Sequence, residues 1–106
     1  MPIEVEFRPV AETYTNVVVG AASTLLCAAN TVRKRVIIIN RSDEMVDCKS
    51  SAAAVAGEGI PLNPVDASGN IQGAYEWSNG RGNGVTGAIY GICASGTKTV
   101  SVIEDV

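Results

Sequence analysis

The chain has 106 residues, 46% of them hydrophobic, with eight Lys and Arg against eleven Asp and Glu, no His, and a net charge of −3. That length holds one core and not two, the composition is too apolar for disorder, and the balance lacks the positive surface that general nucleic-acid binding needs to displace counterions from phosphates. The core falls to Val, Ile, Leu and Ala, because the aromatics are one Trp, three Tyr and one Phe, and eleven Gly with four Pro point to many turns.

Residues 1–16 read as an extended N-terminal arm, and residues 17–106 as the domain. Pro2 and Pro9 interrupt the arm, and Thr13-Tyr14-Thr15-Asn16 closes it. Ile3, Val5 and Phe7 line one side of a strand, with Glu4 and Glu6 on the other. Such a segment suits pairing with a neighbour as well as it suits an ordinary edge strand.

Val17-Val18-Val19 is β-branched and stops at Gly20. Ser23 to Asn30 tolerates helix but is short, and we read it as a strand. Arg33-Lys34-Arg35, with Arg41 nearby, bunches the positive charge. The plain reading is a solvated strand start; the functional one is a patch that meets carboxylates on a protein partner. Val36-Ile37-Ile38-Ile39 lacks alternation, which predicts a central strand buried on both sides.

Asn40 to Glu44 is a turn whose side chains bond their own backbone, and residues 45–49 are expected to pair back as a hairpin. Ser50 to Gly59 is small and flexible. Ile60-Pro61-Leu62-Asn63-Pro64 must be an edge or irregular strand, since Pro gives no ladder donor. Ala74 to Trp77 is a strand with Tyr75 and Trp77 on one side. These two rings either enter the core or stack on a sugar ring or protein surface beside the following loop. Ser78 to Gly84 holds two Asn-Gly pairs, a tight-turn signal. Residues 87–102 alternate around Ser95-Gly96 and read as two adjacent strands joined by a turn. About eight short strands with frequent turns predict an all-β, single-domain β-sandwich or small jelly roll.

Chemistry-bearing motifs are scarce. Gly82-Asn-Gly-Val-Thr-Gly87 matches the dinucleotide spacing, but a strand follows it where a phosphate-binding helix is needed. Cys27, Cys48 and Cys93 are widely spaced, and without His they suggest small buried hydrophobes in a reducing site of synthesis rather than zinc ligands. No base is placed to activate a nucleophile, and the acid pairs Asp43-Glu44 and Glu104-Asp105 point apart on a strand. The expectation is therefore a non-enzyme with no catalytic residue, cofactor or metal. No apolar run has the length of a membrane span, and acids stand where a secretory signal carries bases.

The pattern resembles the small β-sandwich structural proteins of tailed bacteriophages, particularly capsid decoration (cement) proteins and related head-fibre modules. The residues that carry the likeness are Ala29-Asn30, Arg33-Lys-Arg-Val-Ile-Ile-Ile-Asn-Arg-Ser42, Gly57 and Gly59 before Leu62-Asn-Pro64, Tyr75-Glu76, Gly87-Ala-Ile-Tyr-Gly-Ile92, and Gly96-Thr-Lys-Thr-Val-Ser-Val102 with Glu104. The arm and the glycine-rich loop depart from the shorter versions of this pattern. The resemblance implies a virion protein made in a bacterial cytoplasm and placed on the capsid exterior. It binds the major capsid protein and stabilises the shell, often as a homotrimer, with no nucleic-acid or membrane partner. The other function it allows is a receptor- or glycan-binding module of a head fibre or tail. The expected interface draws on Ile3, Val5, Phe7, Arg33, Lys34, Arg35, Tyr75 and Trp77.

Overall fold

The computed structural model describes residues 11–106, which form eight strands and no helix: β1 (Glu12–Val19), β2 (Thr24–Cys27), β3 (Arg35–Asn40), β4 (Val46–Ser50), β5 (Ile60–Leu62), β6 (Gly73–Ser78), β7 (Ile89–Cys93) and β8 (Lys98–Asp105). They make two antiparallel four-stranded sheets, the first in the order β1-β8-β3-β6 and the second in the order β2-β7-β4-β5. Strand 1 pairs with 8, 2 with 7, 3 with 6 and 4 with 5. The chain is thus one antiparallel ribbon folded over on itself and laid alternately into two sheets. That arrangement is the eight-stranded jelly roll, the narrower of the architectures expected from the turn spacing.

The core lies between the sheets. Val36 and Ile38 of β3, Val100 and Val102 of β8 and Trp77 of β6 face Leu26, Val46, Cys48, Ile89 and Cys93 of the second sheet. On β3 every second residue is buried, Val36, Ile38 and Asn40, while Ile37 and Ile39 are only half-buried. The strand is central, with β8 and β6 on its two edges, but only one of its sides is sealed. The expectation of burial on both sides is corrected: four branched residues in a row here serve a sandwich with one open face.

Two expected hairpins, and the tight turn expected after β6, are also corrected. Strands β7 and β8, β3 and β4, and β6 and β7 are consecutive but lie in opposite sheets. Alternation and a turn signal report that the chain reverses; they do not report whether it returns to the same sheet or crosses the end of the sandwich. Asn40 shows what enforces one crossing. It is fully buried, and its Nδ2 donates to the carbonyls of Glu44, Leu62 and Asn63 at 2.8, 2.9 and 3.2 Å. Its Oδ1 accepts from the Ser42 amide and hydroxyl at 2.9 and 2.7 Å. One amide thereby satisfies a loop that must leave the ladder. At the same end Lys98 Nζ pairs with Asp43 at 2.7 Å and the Ser95 amide donates to Glu44 Oε1 at 2.7 Å, which ties two crossing loops together.

The β4–β5 connection stays within one sheet. Gly59 precedes β5 at φ 83°, and a Cβ there would collide with the Cys48 carbonyl, so only glycine fits. Pro61 sits on β5, the edge strand, as its missing donor requires. The expected boundary after residue 16 does not coincide with an element: β1 begins at Glu12, and Glu12 to Asn16 pair with Asp105 to Ser101. Ile3, Val5 and Phe7 lie outside the described residues.

Candidate functional site

The basic cluster divides among three environments. Arg33 is buried at 3% exposure, an internal clamp and not a surface patch. Its Nε donates to Glu104 Oε2 at 2.8 Å, Nη1 to the Val85 and Gly87 carbonyls at 3.0 and 2.9 Å, and Nη2 to the Ala28 carbonyl at 2.5 Å and Cys27 Sγ at 3.3 Å. It joins the β2–β3 loop, the β6–β7 loop and the end of β8. A planar guanidinium suits this task because its fixed fork meets several acceptors at once. The Cys27 thiol donates to Glu104 Oε2 at 3.2 Å, and burial first, then this acceptor, push it up to about 11. That is a quiet thiol, not a nucleophile.

Lys34 is exposed, and its backbone carries the structural work, its amide donating to the Asp105 carbonyl at 2.8 Å. Arg35 lies on the outer side of the first sheet among carboxylates. Its Nε meets Asp105 Oδ2 at 2.6 Å, Nη1 meets Glu76 at 3.5 Å and Nη2 meets Glu12 at 4.0 Å. Asp105 Oδ1 is buried without a partner among the described residues.

The aromatic pair faces inward. Tyr75 and Trp77 meet edge to face, ring centroids 4.8 Å apart at 71°, and Trp77 belongs to the core at 6% exposure. Of the two expected placements, core and surface platform, the structure gives the core. Only the Tyr75 hydroxyl reaches the adjoining loop, where it accepts from Asn83 Nδ2 at 3.3 Å. That loop bonds to itself: Asn83 Oδ1 accepts from the Ser78 amide and Asn83 Nδ2 donates to the Glu76 carbonyl, both at 3.0 Å.

Side chains left with capacity gather on the outer side of the first sheet. Register sets them in rows across the strands: Glu12–Asp105–Arg35, then Tyr14–Ile103–Ile37–Glu76, then Asn16–Ser101–Ile39–Ala74, then Val18–Thr99. Ile37, Ile39 and Ile103 form a half-buried apolar centre, with Tyr14 70% and Val18 57% exposed beside it. Acids and Arg35 border one end, and Arg41 borders the other. Over β8 runs a groove of about 450 Å³ lined by Tyr14, Thr15, Asn16, Arg41, Ser101, Val102 and Ile103. In it Arg41 Nε donates to Ser101 Oγ, which donates in turn to Asn16 Oδ1 at 2.8 Å.

The outer side of the second sheet is covered in part, with Leu25 49% exposed beside half-buried Tyr90 and Ile92. Its Asp47 accepts from the Gly57 amide at 2.9 Å, and its Lys49 lies 3.7 Å from Glu58, so the β4–β5 loop already engages that surface. The first sheet's outer face eluded the sequence reading because its isoleucines belong to an unbroken apolar run. The available signal was the i, i+2 series Arg35, Ile37, Ile39, Arg41, which ends in charge at both ends.

Among the described residues no group of three or more Cys, Asp or Glu could hold a metal ion, and no helix is long and apolar enough to cross a membrane. Comparison of the chain with protein-family models, curated proteins and solved structures finds no match.

Proposed function

We propose that this chain is a structural virion protein that binds the outer surface of a tailed-phage capsid and stabilises it, acting as a homotrimer. One observation carries the reading: the outer face of the first sheet, where Ile37, Ile39 and Ile103 sit together with exposed Tyr14 and Val18 inside a charged border. A contiguous apolar centre with aromatic and Arg neighbours is the composition of a protein-binding surface, not of a solvated sheet. Burying those side chains against a shell draws on about 25 cal/mol for each Å² of apolar surface removed from water.

The fold adds a fold-level analogy, since jelly rolls recur in viral capsid domains. The edge of β1 adds a second support. Among the described residues Glu12 to Asn16 are exposed and bonded on one side only, to β8, and a closed homotrimer covers such an edge and so prevents uncontrolled strand pairing. A modest contact repeated over a symmetric shell gains avidity without reactive chemistry.

The test mixes purified protein with undecorated, expanded shells and sediments them. Saturable co-sedimentation with a raised shell melting temperature is the expected result, together with a trimeric mass by light scattering. Protein that stays in the supernatant at all concentrations overturns the reading.

A further inference from the structure

We propose that the Arg41 groove receives a carboxylate side chain presented by the protein surface on which the first sheet docks. The inference rests on the docking reading above and names the partner's chemistry at one point of it.

Charge accounting sets Arg41 apart on the outer side of the first sheet. Among the described residues Arg33 pairs with Glu104, Arg35 with Asp105 and Glu76, Lys49 with Glu58, Arg81 with Glu76 and Lys98 with Asp43. Among the described residues Arg41, like exposed Lys34, has no carboxylate within 4 Å, although acids outnumber bases in the chain, and of the two only Arg41 lines the groove. It is nevertheless held in place. Ser101 Oγ accepts from its Nε and donates onward to Asn16 Oδ1, and Ser101 itself is only 8% exposed. That relay uses one guanidinium donor and one lone pair of Asn16 Oδ1. What remains is rich in donors: the two Nη groups of Arg41 and the Nδ2 of Asn16, none with a partner among the described residues, beside the Tyr14 and Thr15 hydroxyls that also line the groove. A planar fork beside an amide N–H₂ fits the two oxygens of a carboxylate, which accepts and never donates.

The neighbours choose between carriers of that carboxylate. A sugar acid presents hydroxyls over most of its surface, while Ile103 in the groove and Ile37 and Ile39 beside it offer apolar surface that those hydroxyls leave unmatched. A Glu or Asp side chain flanked by apolar residues of a protein matches both parts. The groove volume of about 450 Å³ is ample for such a side chain and its flanks.

The experiment titrates the ¹⁵N-labelled full chain with acetyl-Val-Glu-Phe-amide, its Gln counterpart and glucuronate, following backbone amides. The expected result is saturable shifts confined to residues 14–16, 41 and 101–103, with Kd of about 1–10 mM for the Glu peptide. The Gln peptide binds at least about tenfold more weakly, as one lost charge-assisted pair requires. Arg41→Gln abolishes the saturable shifts while leaving the amide spectrum elsewhere unchanged, and Tyr14→Ala weakens them. Equal binding of the Glu and Gln peptides, persistence of binding in Arg41→Gln, or no saturable shift overturns the proposal. Tighter binding of glucuronate than of the Glu peptide overturns it too, and assigns the groove to an acidic sugar. The Glu–Gln comparison uses the unaltered protein and decides the matter even if a variant fails to fold. No shell is present, so a negative result removes the groove assignment and leaves the docking reading to its own sedimentation test.

Discussion

On the inner side of the first sheet, Arg33 spends its donors on one carboxylate, one thiol and three carbonyls, Asn40 spends its amide on five contacts, and Ile38 has no exposed surface. On the outer side the same three residue types recur as Arg41, Asn16 and Ile37, and each is left part-used: a guanidinium bonded through Nε alone, an amide whose N–H₂ is unpartnered among the described residues, and a half-buried isoleucine. Residue type therefore does not separate fold from function in this molecule. What separates them is whether each donor and each apolar surface is already matched, and the outer side is where matching stops.

The comparison breaks first at Arg33. Replacing it with Ala strands Glu104 and three loop carbonyls beside the core, and the expected loss is about 3–5 kcal/mol of unfolding free energy. Urea melts of Arg33→Ala, Glu104→Ala and the double variant check it; the double variant should lose less than the sum of the singles, because one partner's removal already ends the pair. A sum that is fully additive would mean the clamp does not act as a unit.

Ile38 and Ile37 give a sharper version within one strand. Ile38→Ala should cost about 2–5 kcal/mol, since it empties a sealed position between the sheets. Ile37→Ala, one residue away on the other side, should cost less than about 1 kcal/mol and reduce co-sedimentation with shells. Equal destabilisation by the two would show the outer side to be as closed as the inner one.

The sequence disclosed the strands better than their partners. Alternation at residues 99–102, β-branching at 17–19 and Pro61 each mark a strand or an edge through local sterics, and strands stand at those residues. Sheet membership was not readable, because the Asn40 and Ser95 turns bring long-range pairings whose determinants are single side chains such as the Asn40 amide. Arg33 misled for a related reason. A basic triplet reads as surface charge, and nothing local announces that Val85, Gly87 and Glu104 arrive from 52 to 71 residues away to receive it. The groove was invisible on the same ground: Asn16, Arg41 and Ser101 meet only once β1, β3 and β8 are side by side.

Alkaline pH probes the inner side without mutation. Burial raises Cys27 from its ordinary 9.0 to about 11 and Cys48 to about 12. Both thiols hold their protons more tightly in the folded chain than in the unfolded one. Stability they supply is complete below pH 9 and is lost as pH rises toward 11 and 12. The expected loss by pH 11 is at least about 1 kcal/mol, read as a falling melting temperature. The decline should be shallower in Cys48→Ala, which removes one of the two groups. An unchanged slope in that variant would take Cys48 out of the account.

The smallest effect on stability is expected at Arg41, and its smallness is the point. Arg41→Gln removes an exposed cation that no described carboxylate opposes, so unfolding free energy should stay within about 0.5 kcal/mol of the parent chain. Glutamine still donates a hydrogen bond in the direction of Ser101, and the inner side of the sheet is untouched. Binding to shells should weaken in the same variant, and raising the salt from 0.05 to 0.5 M should weaken the parent more than it weakens Arg41→Gln, because screening acts on the charge the variant lacks. A destabilisation of about 2 kcal/mol or more would place Arg41 with Arg33 among the residues that hold the fold. The outer side of the sheet would then lose the unopposed charge on which the proposed groove site rests.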